Sequence, residues 1–348
     1  MNISINERLI CQENPTYIIA EMSANHGGNF NTAVKIIQAA KEAGADAIKL
    51  QTYTPDTLTI KSDKKYFQIG DGMIWEGRTL YNLYEEAHTP WEWFPELRAV
   101  AFEEGIDFFS SPFDFTAVDF LENLDVPAYK IASFELVDLA LIKYVAATGK
   151  PTLISTGMAK KREVDEAVEV FFGAGGKELA LLKCTSAYPA PISEMNLNTI
   201  SYMIEHYKLP IGLSDHSMDV TIPSAARALG ACIIEKHIVL KRSDKTPDSA
   251  FSLEPAEFKN MVKSVRTIEK AMGNENFGIG TQETLSITFR RSIFAIKDIK
   301  KGEKLAKDNI RCIRPGQGLA PRNYESILGK ITSKFIEKGT PISWDLIE

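Results

Sequence analysis

Cysteine and histidine are scarce in this chain, whose 348 residues contain 4 Cys and 5 His. Cys11, Cys184, Cys232 and Cys312 stand far apart, with no Cys-x-x-Cys spacing, which argues against a thiolate zinc module and a disulfide scaffold. The usage suits a reducing, cytoplasmic setting, with Cys184 and Cys232 read as small core residues inside apolar runs. No segment reaches the roughly 20 apolar residues that span a bilayer. The opening MNISINERLICQENP lacks the apolar run of a secretory signal. Also missing are a Gly-rich dinucleotide fingerprint after the first apolar run, any low-complexity tract, and any repeat beyond a strand–helix alternation.

A net charge of −6 is mild and argues against a nucleic-acid-binding protein. Its distribution is uneven. Residues 286–348 hold 13 Lys and Arg against 7 Asp and Glu, and residues 1–285 hold 27 against 39. A basic tail is either a solvated face or a surface that docks on an acidic neighbour or reaches an anionic ligand. The hydrophobic fraction of 44% and charged fraction of 25% belong to a globular protein with a sizeable core.

Short apolar runs alternate with helical patterns, the sequence form of a parallel sheet with crossover helices. Strands are expected at about 17–23, 47–53, 106–113, 128–133, 151–156, 179–186, 210–216 and 232–238. Between the first two, Ala33, Ile36, Ile37 and Ala40 share one helical face, with Gly44 as the helix stop. Another helix starts after Thr89-Pro90 and ends near Gly105, and the last runs from Glu254-Pro255 toward Met272. Eight such units in about 270 residues predict a (β/α)8 TIM barrel over 1–273, in preference to a doubly wound open sheet. Residues 274–288 read as a polar, Gly-containing linker, and 289–348 as a small β-rich module.

In such a barrel the chemistry collects at the C-terminal ends of the strands. Those ends carry Glu21, Lys49, Gln51, Ser110, Ser111, Lys130, Ser133, Ser155, Thr156, Lys183, Ser186, Ser214, Asp215, His216, Glu235, Lys236 and His237. Buried charges need partners or a ligand, and lysines converging with hydroxyls make a phosphate or carboxylate site. A Schiff-base lysine is the competing reading of Lys49, Lys130 or Lys183. His216 and His237 end consecutive strands, and two neutral imidazoles with solvent and substrate oxygens suit a divalent ion of intermediate hardness. His26 is a weaker ligand-contact candidate, and His88 and His206 read as structural.

The ordered motifs EMSANHGG, KLQTY, SSPFD, YKIAS, STGM, KCTSAYP, GLSDHS and EKHI resemble the sialic acid synthases, and the C-terminal module resembles their antifreeze-like (SAF) domain. The resemblance covers residues 15–348. Within the family, AEMSANH, LYEEAHTPWEW, YKIASFE and DSAFSLEP look most like the pseudaminic acid branch, with the legionaminic and N-acetylneuraminic branches as alternatives. Gly28 departs from the neuraminic pattern. The resemblance implies a metal-dependent condensation of phosphoenolpyruvate with 2,4-diacetamido-2,4,6-trideoxy-L-altrose, and Mn2+ as the metal, with Mg2+ or Co2+ as alternatives. It assigns His216 and His237 to the metal, and Lys49, Ser111, Lys130, Ser133, Ser155, Ser186 and Ser214 to phosphoenolpyruvate. Glu21, Gln51, Tyr188, Glu235 and Asp248 surround the sugar, with Glu21 and Glu235 as the candidate acid and base. It also implies a homodimer in which Arg314, in IRPGQG, completes the neighbour's site. A flexible chain the length of the linker spans roughly 20 Å, enough to carry the module away from its own barrel.

Overall fold

The computed structural model describes residues 2–70, 72 and 74–348, which separate into two compact units, 1–273 and 274–348. In the first, eight parallel strands close into a barrel: β3 (Tyr17–Glu21), β4 (Ala47–Thr52), β5 (Asp107–Pro112), β6 (Tyr129–Ile131), β7 (Thr152–Ser155), β8 (Leu179–Cys184), β9 (Ile211–Asp215) and β10 (Ile233–His237). They follow chain order around the ring. β10 returns to pair with β3, placing His237 opposite Glu21 in register. All eight expected strands are present. Each is one to three residues shorter than its expected span.

The helices follow the same local signals. The helix Phe30–Ala43 buries Ala33, Ile36, Ile37 and Ala40 and stops at Gly44, whose φ of 92° is a left-handed conformation that costs glycine little. Asn29 caps its start by accepting from the Thr32 amide. The helix Pro255–Met272 begins and ends where Glu254-Pro255 and Met272 place it. None of the helices of the described residues is long and apolar enough to cross a membrane.

One element was not legible in the N-terminal sequence. Strands β1 (Ile3–Ile5) and β2 (Arg8–Ile10) form an antiparallel hairpin. Ser4, Asn6 and Arg8 bond Glu178, Asp107 and Asp46, at or just before the starts of β8, β5 and β4. The hairpin therefore closes the end of the barrel opposite the polar strand ends. Ile3, Ile5 and Ile10 are at most 1% exposed, each burial stabilising by about 1.5–3 kcal/mol.

The second unit holds β11 (Ser292–Ala295) paired antiparallel with β12 (Ile310–Ile313), several isolated bridges, and a small core of Ile293, Ile299, Leu305, Ile310, Ile336 and Ile342. The stretch 274–288 is not extended throughout, since Thr281–Ser286 is helical and Ile287–Phe289 continues as a 3-10 turn. Glu283 reaches back to the Gly280 amide and starts that helix.

Candidate active site

Alternation along β3, β4 and β10 turns Glu21, Lys49, Gln51, Glu235 and His237 to the inside of the ring. There they bind one another. Lys49 Nζ lies 2.6 Å from Glu21 Oε2 and 3.7 Å from Glu235 Oε2, and donates to Ser111 Oγ at 3.3 Å. Gln51 donates to Glu21 at 3.0 Å, while Lys130 and Ser214 donate to Glu235 Oε1 at 3.0 and 2.8 Å. All four charged side chains are at most 5% exposed. The two carboxylates are unlike. Burial, assisted by the charge of Glu235, raises the Glu21 pKa despite Lys49. Burial also acts on Glu235, but Lys130, Lys49 and Ser214 outweigh it and hold that group ionised. Burial lowers the Lys130 pKa.

Around this cluster, Ser133 Oγ accepts from the Gly157 amide at 3.0 Å. A Cβ on Gly157 would fall 2.1 Å from Ser186 Oγ and 2.7 Å from Ser133 Oγ, so only glycine lets the β7 loop come down between those hydroxyls. Ser155 Oγ is buried with no hydrogen-bond partner from the protein, so its hydroxyl is left available. Ser23 donates to Asp248, whose pKa burial raises.

The imidazoles of His216 and His237 lie with centroids 5.3 Å apart. His216 Nδ1 donates to the Thr185 carbonyl at 3.1 Å, which leaves its Nε2 lone pair free and fixes the ring. His237 Nδ1 is buried without a partner, and burial followed by the neighbouring His216 and Lys49 keeps this ring neutral. Two imidazoles from adjacent strand ends, one of them with an orphaned buried nitrogen, fit a divalent metal. Among the described residues no group of three or more His, Cys, Asp or Glu is placed to hold an ion. Tyr188 packs on His216 and Phe251 on His237, at 4.5 and 4.9 Å between ring centroids.

Two other candidates of the barrel turn elsewhere. Lys183 faces away from the cluster and donates to Cys184 O and Thr185 Oγ1. His26 is consumed locally, accepting from the Gly28 amide and bonding Thr89. Arg314 is exposed in the second unit, after β12. Two residues were overlooked. Cys184, read as core, has its Sγ 3.8 Å from His216 Nδ1, and against burial His216, with Ser133 and Ser186, brings the thiol down to about 6. Glu135 lies in the 3-10 turn Ser133–Val137 with a buried, unpartnered oxygen, and burial raises its pKa to about 7. Its signal was position alone, two residues beyond YKIAS.

The family model described as the NeuB family matches residues 36–277, and a SAF domain model matches 290–348. A pseudaminic acid synthase of Campylobacter jejuni is 48% identical over 93% of this chain and 94% of its own length. One of Helicobacter pylori is 44% identical over 96% of this chain and 98% of its own. Among solved structures, the N-acetylneuraminic acid synthetase of Leptospira borgpetersenii superposes with a TM-score of 0.73 at 32% identity, covering 82% of this chain and 95% of that one. Agreement of this kind along nearly the whole length leaves one assignment: the chain belongs to the NeuB family and ends in a SAF domain.

Proposed function

We propose that this chain condenses phosphoenolpyruvate with 2,4-diacetamido-2,4,6-trideoxy-L-altrose to give pseudaminic acid and phosphate; its Campylobacter and Helicobacter relatives bear the name pseudaminic acid synthase. The observation that carries the reading is the buried Glu21–Lys49–Glu235–Lys130 cluster beside the His216 and His237 imidazoles at one barrel mouth. In the reaction, C3 of phosphoenolpyruvate bonds to the aldehyde carbon, whose oxygen takes a proton and becomes a hydroxyl. Water adds to C2 and gives up its protons. The C–O bond to phosphate breaks, and C2 becomes the new ketone.

The chain's own groups fit these steps. Lys49 and Lys130, with Ser111, Ser133, Ser155, Ser186 and Ser214, hold the phosphate and carboxylate and bring C3 against the carbonyl carbon. Glu235, paired with two ammoniums, stays an anion and orients both. Glu21, with one ammonium and an amide as partners, is the group able to take and return a proton during sugar-ring opening or attack by water. Gln51, Tyr188 and Asp248 line the sugar side. His216 and His237 would hold Mn2+, with Mg2+ or Co2+ as alternatives, an ion that supplies Lewis-acid polarisation of the aldehyde.

The protein works in the cytoplasm as a homodimer, and Arg314 of each SAF domain serves the neighbour's site. Residues 1–273 form the catalytic domain, 274–288 the connection and 289–348 the SAF domain. Incubating the protein with the trideoxy sugar, phosphoenolpyruvate and Mn2+, followed by mass analysis, should show the nine-carbon acid and equimolar phosphate. Turnover confined to the legionaminic or N-acetylneuraminic precursor would overturn the choice of sugar. A borohydride-trapped pyruvate adduct would replace the mechanism with a Schiff-base aldolase.

A further inference from the structure

We propose that Lys236 and Asp215, an ion pair on the reverse face of β9 and β10, position His216 and His237 and so set the affinity of the site for its divalent metal. The proposal rests on the reading of those two histidines as metal ligands. Side chains alternate along a strand. Lys236, between Glu235 and His237, therefore turns away from the mouth, as does Asp215 between Ser214 and His216. Glu235 pairs with Ser214 and Lys236 with Asp215 across the two strands. Lys236 and Asp215 are at most 1% exposed, and Nζ lies 2.6 Å from Asp215 Oδ2.

The ammonium does more than neutralise one carboxylate. It also donates to the Ser217 carbonyl and reaches Ser217 Oγ at 3.3 Å. Asp215 Oδ1 accepts from the Ser217 amide at 2.8 Å. His216 is thus flanked by two residues, Asp215 and Ser217, that are both fastened to the side chain next to His237. Stability is a poor reason for such a pair, because apolar replacements of buried ion pairs are often neutral or stabilising. What apolar contact cannot supply is direction. Three bonds from one nitrogen fix where the β9 turn stands relative to β10, and hence where one imidazole stands relative to the other. Outer partners that orient metal ligands typically contribute 10–100-fold in affinity.

The test uses the full-length protein titrated with Mn2+ by calorimetry, with thermal unfolding measured alongside. Lys236→Met combined with Asp215→Asn removes both charges while keeping an acceptor for the Ser217 amide. This variant should fold, bind Mn2+ about tenfold or more weakly, and lose kcat at low Mn2+ with recovery at high Mn2+. Lys236→Arg, which preserves the pair, should recover most of the affinity. A folded double variant with wild-type Mn2+ affinity overturns the proposal alone. If the double variant does not fold, Ser217→Ala, which removes the hydroxyl shared by Lys236 and the Asp219 amide, should still weaken binding measurably, and unchanged affinity there assigns the pair to folding and overturns the proposal. Wild-type protein that binds no Mn2+ overturns the metal reading and this proposal with it.

Discussion

His216 and His237 come from the ends of adjacent strands, and their rings stand 5.3 Å apart between centroids at an interplanar angle of 57°. Neither ring is bonded to a carboxylate. His216 is fixed through Nδ1 by the Thr185 carbonyl, while Nδ1 of His237 has no partner. His237→Ala or His216→Ala should therefore abolish metal-stimulated turnover and leave the circular dichroism of the barrel unchanged. Full activity of metal-stripped His237→Ala would refute the metal assignment.

Glu135, in the turn after β6, links the stability of the fold to pH. Its folded pKa of about 7 lies above the ordinary 4.5, chiefly through burial. The folded state therefore holds this proton more tightly than the unfolded state. The advantage is complete below pH 4.5 and disappears as pH rises through 7. Glu135→Gln removes that dependence. Relative to wild type, the variant should gain on the order of 2 kcal/mol of stability between pH 5 and pH 8, read from denaturant unfolding at each pH. A constant difference across that range would show that Glu135 titrates normally.

The sugar pocket should prefer a methyl group over a hydroxymethyl at the far end of the substrate. Phe113 packs against Tyr53 at 5.2 Å between centroids. Trp91 instead packs on Phe120 and bonds the Tyr53 carbonyl, and Phe134 is 58% exposed. Rejection of a hydroxyl by apolar contact alone is worth about 100-fold. Measured kcat/KM should differ by about that factor between the trideoxy sugar and N-acetylmannosamine, and parity or a reversed preference would count against the pseudaminic reading.

Subunit mixing tests the role of Arg314. Arg314→Ala and His237→Ala should each be inactive. After full exchange about half of the dimers are mixed, and if the arginine serves the neighbour each mixed dimer has one intact site. Activity should return toward about a quarter of wild type. No recovery, with exchange verified by tagged subunits, would place Arg314 at the site of its own chain.

Much of the fold was legible because barrel strands are buried on both faces and read as apolar runs, with helix stops at Gly44 and Gly105. The hairpin of β1 and β2 was not, since Ile3, Ile5 and Ile10 acquire their meaning only by meeting the far end of the barrel. The helix at Thr281–Ser286 was hidden in a polar stretch that carries little periodicity.

The site divides along the same line. Local sequence determined which residues end the strands, so Glu21, Lys49, Lys130, His216, Glu235 and His237 could be named from order and alternation. Partnership was a matter of tertiary structure. Glu21 and Glu235 are the same residue type in similar apolar runs. Closure of the ring gives Glu235 two ammoniums and a hydroxyl, and Glu21 one ammonium and an amide. In a dry interior, charge is set by the number and sign of neighbours within a few ångströms, and those neighbours come from strands distant in the chain. Lys183 and Lys130, both at strand ends, part in the same way: Lys130 meets Glu235 from a strand distant in the chain, while Lys183 turns to the Cys184 carbonyl and the Thr185 hydroxyl beside it.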